Sequence, residues 1–417
     1  MRSNFTVDLM ASSLSSPHSP RRAAARLLGA LFFLLGTGVY ANEGALLFGN
    51  DAQHLARGAS GVASPRSAYW SYLNPASMVD LDRRIDLNWY TVFTNIQLRP
   101  RGLLGNRFDG NQESRDIFNI TSGGVIWPLE RGTLGVGLYI PSGTGTDYGH
   151  SRNWLSRVFQ GNADRKLMYQ HARLVLAYAH EFDNGWAVGF GLHGSVSRFK
   201  SDHLTLSLRP AEAGFDWDEA LGAGFNVGVY KAWEKWSVGA VYASRHWSQH
   251  FEEFEDLLSH TLDTPHTFQC GVAYRVTPRV ELTLDYKFLW WEEVAAYGNS
   301  VADGGFGWKN QHGLKFGVEF KATDRLRLMA GFAHSTSPIT EEHAFMSALC
   351  PVTVEDHVTV GLTYAINDRH ELHFAMVHGF LNMVKDSGNG DIFSFLGRGT
   401  SVGSDGNSLA FGYSYKF

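Results

Sequence analysis

Cysteine is nearly absent: Cys270 and Cys350 are the only two in 417 residues, so no disulfide framework builds this fold. The first reads as part of a strand and the second as part of a loop, so no bridge between them is expected. Long apolar runs are missing as well. The one notable run, 27–35, is too short for a transmembrane helix, which takes about 20 residues. A mean hydropathy of −0.18 leaves no room for a helical membrane protein. Charge of one sign is also lacking, since 36 Lys and Arg face 41 Asp and Glu, and a net charge of −5 offers nothing to nucleic acid. What is plentiful is glycine, at 45, and aromatics, with 12 Trp, 16 Tyr and 28 Phe. Glycine is poor helix material, and aromatics favour pleated surfaces.

Those residues fall into alternating segments. Val280, Leu282, Leu284, Tyr286, Phe288 and Trp290 share one face, and Glu281, Thr283, Asp285 and Lys287 the other. The last ten residues do the same: Leu409, Phe411, Tyr413, Tyr415 and Phe417 oppose Ser408, Ala410, Gly412, Ser414 and Lys416. Charged residues alternating with large apolar ones over ten positions fit neither a helix nor a doubly buried strand. They fit a strand with lipid on one side and a wet lumen on the other. Fourteen such segments occur, roughly 85–96, 118–127, 132–141, 170–182, 185–200, 222–233, 236–246, 265–276, 279–291, 310–321, 325–336, 355–366, 369–381 and 407–417. An even number suits a closed antiparallel barrel, which leaves no unpaired edge in lipid.

The connections alternate too. Short ones carry turn residues, as in Asp183-Asn-Gly185 and Thr277-Pro278. Long ones lie between them, near 97–117, 142–169, 201–221, 247–264, 292–309, 337–354 and 382–406. Short turns at one end and long loops at the other are the periplasmic and extracellular ends of an outer-membrane barrel. The expected class is therefore all-β, a transmembrane barrel over 85–417 in the bacterial outer membrane. Ahead of it, Arg21, Arg22 and Arg26 precede the apolar run, and Val39-Tyr40-Ala41 offers a cleavage point, so 1–41 reads as a signal peptide. Segment 42–84 alternates nowhere. Its small and aromatic residues, with few charges, predict a plug inside the lumen that fourteen strands would otherwise leave open.

Within that segment, Ala56-Arg-Gly-Ala-Ser-Gly-Val-Ala63 followed by Tyr72-Leu-Asn-Pro-Ala-Ser-Met78 resembles the N-terminal hatch of the FadL family. These are outer-membrane channels for long-chain fatty acids, with relatives that take up toluene and other hydrocarbons. The resemblance continues through Gly185-Trp-Ala-Val-Gly-Phe-Gly191, Gly307-Trp-Lys-Asn-Gln-His-Gly-Leu-Lys-Phe-Gly317 and Ala333-His-Ser-Thr-Ser-Pro338. It implies passive uptake by loop capture, hatch gating and lateral release. Long-chain fatty acids come first as ligand, then hydrocarbons or aromatics. Asn74, Pro75 and Ala76 match a hatch motif that faces a gap in the barrel wall. Pro141 and Gly143 match an inward kink of the third strand that opens a lateral exit, unless 141–145 merely begins the next loop. Leu46, Leu47 and Phe48 match a ligand pocket. Arg198 and Lys309 match residues that hold the ligand headgroup, unless both are ordinary lumen or rim charges. In the first long loop Trp154, Leu155, Val158 and Phe159 fall at helical spacing and offer an apolar capture groove, or a face packed on the barrel.

The expected partners are a hydrophobic small molecule and outer-membrane lipid, with no nucleic acid, and the chain is expected to be monomeric. No enzyme, cofactor or metal is expected. Gly189-Phe-Gly-Leu-His-Gly194 satisfies G-x-G-x-x-G but lies within a strand and opens no helix, so the dinucleotide context fails. His246 and His250 read as solvated loop histidines. A general porin, with an open aqueous lumen, and a structural surface protein are the competing classes.

Overall fold

The computed structural model describes residues 43–105, 110–150, 164–202 and 214–417. The signal-peptide segment and the capture candidates Trp154, Leu155, Val158 and Phe159 lie outside the described residues. Fourteen long strands follow in order: β1 Arg84–Arg99, β2 Ile117–Leu129, β3 Gly132–His150, β4 Asp164–Glu181, β5 Trp186–Ser201, β6 Asp218–Ala232, β7 Trp236–Ala243, β8 Thr267–Thr277, β9 Val280–Leu289, β10 Gln311–Lys321, β11 Leu326–Ser335, β12 Asp356–Ala365, β13 His370–Lys385 and β14 Ser401–Lys416. Each pairs antiparallel with its sequence neighbours, and β14 returns to β1 from Arg84↔Lys416 to Arg99↔Ser401. The sheet is thereby closed. Among the described residues no helix is long and apolar enough to cross a membrane.

Alternation places the side chains as the sequence implies. Leu87, Trp89, Leu284, Leu314, Phe332 and Phe411 stand exposed on the outer wall, whereas Asp86, Asn88, Asp285, Lys315 and Ser414 are buried inside. Both cysteines are free: Cys270 is half-buried and Cys350 is buried in the loop after β11. The main departure from expectation is strand length. β3 runs on past Pro141 to His150, β4 starts at Asp164, and β14 starts at Ser401. The loop-end halves of β3 and β14 are rich in Gly, Ser and Thr, so the alternation that reveals a strand fades there while the backbone ladder continues.

Segment 43–83 fills the lumen with short helices, Ala52–Leu55 and Trp70–Leu73, and a 3-10 turn, Pro75–Asp80. Wall side chains complete its backbone hydrogen bonds. Asp285 Oδ2 accepts from the Gly61 and Val62 amides at 2.9 Å each, Asn88 Oδ1 from Ala52 at 3.0 Å, Asp86 Oδ2 from Ala68 at 2.6 Å, and Thr359 Oγ1 from Gly58 at 2.9 Å. Buried amides left unpaired would each carry the desolvation cost, about 1–3 kcal/mol. The plug also needs space that only glycine gives. A Cβ at Gly331 would stand 2.1 Å from the Gly58 nitrogen, and one at Gly317 would stand 2.6 Å from the Arg57 carbonyl oxygen.

Gly331→Val is therefore expected to destabilise the folded barrel by about 1–3 kcal/mol, the usual cost of overpacking. It should lower the temperature at which the folded gel band converts to the unfolded one. Gly194→Ala, whose new carbon meets nothing within 4 Å, should leave that temperature unchanged. Equal transitions in the two variants would mean the plug is not seated on β11.

Candidate functional site

The wall is interrupted between β2 and β3. Their pairing runs from Leu129↔Gly132 to Gly123↔Leu138 and stops there among the described residues, while β2 continues on β1 as far as Ile117. The cause is local. Pro141 has no N–H to give to a ladder, and the β3–β4 register shifts between Tyr139 and Ser142 as a bulge. The alternative of a loop beginning at Pro141 is excluded by the strand continuing beyond it.

The hydrogen bonds freed on β3 go to the start of the plug. Leu47 donates to the Pro141 carbonyl at 2.8 Å, Gly143 to the Ala45 carbonyl at 3.3 Å, and the Ser142 hydroxyl to the same carbonyl at 2.5 Å. Asn50 Oδ1 accepts from Ile140 at 3.1 Å. Leu46, Leu47 and Phe48 thus lie beside the bulge, with Pro141, around a cavity of about 50 Å³ that Asn50, His54, Tyr69, Tyr72, Lys287 and Lys315 help to line. A second cavity, of about 130 Å³, opens where the loop-end halves of β2 and β3 part, between Phe118, Gly145, Thr146 and Met168.

Charge closes the inner cavity. Glu43, one of the first described residues, is buried and held by the ammonium groups of Lys287 and of Lys315, the latter at 2.5 Å. Burial alone would raise its carboxyl, but the two lysines outweigh burial and bring it from 4.5 down to about 2. His54 is pushed the other way. Burial, then Lys315 and Arg57, hold its pKa well below the ordinary value, and neither ring nitrogen has a partner. Nearer the short-turn end an alternating chain of ions ties the plug to the wall: Arg66 to Glu281 at 2.6 Å and to Glu319 at 3.2 Å, Arg327 to Glu371 at 3.3 Å, and Lys416 to Glu371 at 3.0 Å.

The hatch motif sits elsewhere than expected. Asn74, Pro75 and Ala76 pack on β5, β6 and β7, where the ladder is continuous, and not on the interrupted wall. A Cβ at Gly228 would lie 2.0 Å from Asn74 Oδ1, and one at Gly189 would lie 2.2 Å from the Ala76 nitrogen. Asn74 fixes the corner by donating from Nδ2 to the Val62 carbonyl at 3.1 Å and the Val229 carbonyl at 3.3 Å. Residues near the interruption are instead Tyr69 and Ser71: the Ser71 hydroxyl is 3.1 Å from that of Tyr139, the last residue before the bulge.

The two headgroup candidates are not brought to the cavity. Arg198 lies 3.7 Å from Glu219 and 4.4 Å from the Trp217 ring centroid. Lys309 is more than half exposed in the loop before β10 and bonds Glu292 at 3.1 Å. His246, expected in solvent, is fully buried with His171 and His193, its Nε2 2.6 Å from the Ser195 hydroxyl, because the chain after β7 turns back into the lumen. Sequence reading also missed an aromatic cap over the mouth. Tyr297 stacks on Trp308 at 4.7 Å and Trp291 meets both edge to face at 5.0 and 5.3 Å between ring centroids, joined by Phe254 and Phe345 in one apolar core with Leu46 and Phe48. The scattered loop aromatics share no periodicity that would have announced it.

Over residues 43–417 the sequence matches the family described as outer membrane protein transport protein (OMPP1/FadL/TodX). Similar solved structures include the Pseudomonas putida toluene transporter TodX, at 14% identity and TM-score 0.68 over 91% of this chain and 100% of that one. A Pseudomonas aeruginosa FadL homologue is 14% identical with TM-score 0.67, covering 90% and 100%. The Ralstonia pickettii toluene transporter TbuX is 15% identical with TM-score 0.64, covering 89% and 99%. At such identities the likeness is one of fold. No curated protein sequence matches the chain.

The lowered Glu43 carboxyl makes anchoring of the plug's first residues depend on pH. A folded-state pKa below the unfolded value gives stability that is full above about 4.5 and is lost as pH falls towards about 2. The Leu47 amide should lose hydrogen-exchange protection across that window. Glu43→Gln should show low protection throughout and no such step. A step of the same size in the variant would assign it to another group.

Proposed function

Because this chain belongs to the OMPP1/FadL/TodX family of outer-membrane transport proteins, we propose that it passes its hydrophobic ligands sideways into the membrane between β2 and β3. The observation that carries this reading is the substitution at the interruption: hydrogen bonds that a neighbouring strand would take on β3 are taken by residues 45–50. A plug segment held by a few backbone bonds and one ion cluster is removable; a strand of a closed barrel is not. In its present state the inner cavity of about 50 Å³ is far below the roughly 300 Å³ of small-molecule sites, so ligand entry has to displace this segment.

The route has three stages. Ligand is captured at the outer mouth by the aromatic cap and by the loop carrying Trp154, Leu155, Val158 and Phe159. It then replaces Leu46, Leu47 and Phe48 beside Pro141. It leaves past Gly143, whose missing side chain keeps the way low. Asn74, Pro75 and Ala76 hold the fixed end of the plug while the first residues move.

For the ligand we place aromatics and hydrocarbons ahead of long-chain fatty acids. Two of the similar structures are toluene transporters. Arg198 and Lys309 stand away from the cavity, and the lysines that do line it are held by Glu43. A fatty acid would have to displace that carboxylate first.

A strain lacking this protein should grow poorly on the transported compound as sole carbon source, and paired cultures on toluene, an alkane and oleate rank the three. Gly143→Val should reduce uptake of the preferred compound while the folded gel band is kept. Liposomes carrying the protein should not swell in small sugars, and rapid swelling would replace this reading with an open porin.

A further inference from the structure

Arg173, on β4, differs from the lumen cations described above, because among the described residues no carboxylate bonds it. Arg66, Arg327, Lys287 and Lys315 each sit against one. The Arg173 guanidinium is buried, its Nε donating to His171 Nε2 at 2.8 Å and its Nη2 to the Thr264 hydroxyl. Among the described residues the guanidinium makes no other hydrogen bond, which leaves Nη1 free of them. Withdrawing a guanidinium from water without a counter-charge is costly, and most natural sites compensate it. The imidazoles of His193 and His246 are buried beside it. One positive charge is therefore held among aromatic rings with no counter-charge bonded to it among the described residues.

The surroundings are flat and aromatic. The Tyr72 ring lies 5.9 Å from Arg173 Cζ and stacks on His193 at 5.7 Å. Tyr72 also meets Tyr139 at 5.7 Å, and His171 meets His246 edge to face at 5.1 Å. Arg173 pairs across the ladder with Tyr139, the residue before the bulge, and Tyr72 lines the cavity beside Leu46 and Pro141. A group bound at Arg173 would thus have its remainder directed along Tyr72 to the interrupted wall.

We infer that Arg173 holds the carboxylate of a small aromatic acid, with Tyr72 and the imidazoles against its ring. The planar fork of the guanidinium suits a carboxylate, and Nη1 is the donor still available. This assignment rests on the uptake reading above and refines it, since it adds an acidic class of ligand to neutral ones that need no cation.

The full-length protein in detergent is titrated with benzoate, toluene and palmitate, following binding by calorimetry. Arg173→Gln should weaken benzoate about ten- to a hundredfold, the range of a charge-assisted hydrogen bond, and leave toluene within about twofold. Arg173→Lys should recover part of the benzoate affinity. Equal losses for benzoate and toluene, or none for benzoate, would overturn the assignment and make Arg173 a packing residue. Dependence of palmitate alone on Arg173 would also overturn it, in favour of an aliphatic acid. Absence of toluene, palmitate and benzoate binding to the unaltered protein would instead remove the uptake reading itself.

Discussion

The whole arrangement depends on how closely a polypeptide backbone can approach the inside of a β-wall. At several points segment 43–83 lies directly on the barrel main chain, and this is possible because glycine faces inward there. At Gly189, Gly228, Gly317 and Gly331 a single added carbon would overlap atoms of the plug. Contact at that range leaves no room for water, so the plug's amides must be satisfied by the wall itself. Asp285, Asp86, Asn88 and Thr359 do this from three different strands. Glycine at the contact and a short polar side chain next to it form one device: one admits the backbone, the other completes its hydrogen bonds.

Ions are then distributed by depth. Toward the short-turn end, Arg66 of the plug is held by Glu281 and Glu319, and Arg327 and Lys416 with Glu371 continue the alternating signs along the wall. Deeper in, a single acid, Glu43, faces two lysines. In the first cluster Arg66 has carboxylate partners on two strands, so loss of either leaves the other. The second hangs on one carboxylate at the edge of the cavity, the place where the segment has to yield if ligand is to pass. The difference in redundancy divides the plug into a fixed part and a releasable part.

The fourteen strands and the segregation of short and long connections were legible because lipid on one side imposes a period of two that no soluble strand keeps for so long. The plug was legible by its lack of that period. Its partners were not, since contact with Gly189 or Gly331 is made by space and leaves no mark on the sequence of either element. Pro141 correctly signalled an irregularity. What it did not signal was that β3 continues to His150, because Ser142, Gly143, Thr144 and Gly145 can pair as a strand while showing no apolar face. Family resemblance located Asn74-Pro75-Ala76 as a motif but misplaced its surroundings, which are the continuous wall of β5 to β7. His246 was misjudged for a similar reason. Its burial comes from the path of the chain after β7, and neither neighbouring residue in sequence announces it.

The seam between β1 and β14 has a consequence for biogenesis. The residues that seal it, Arg84 with Lys416 and Leu87 with Tyr413, are separated by almost the whole described chain, so this ladder forms only after all fourteen strands have been made. The plug is made first and lies inside the finished ring, and Ser414 of the last strand bonds Asp86, which itself receives the Ala68 amide. A nascent barrel must therefore curl around its own amino-terminal segment. A ring that shut without that segment would leave Asp285 without the two plug amides it accepts from.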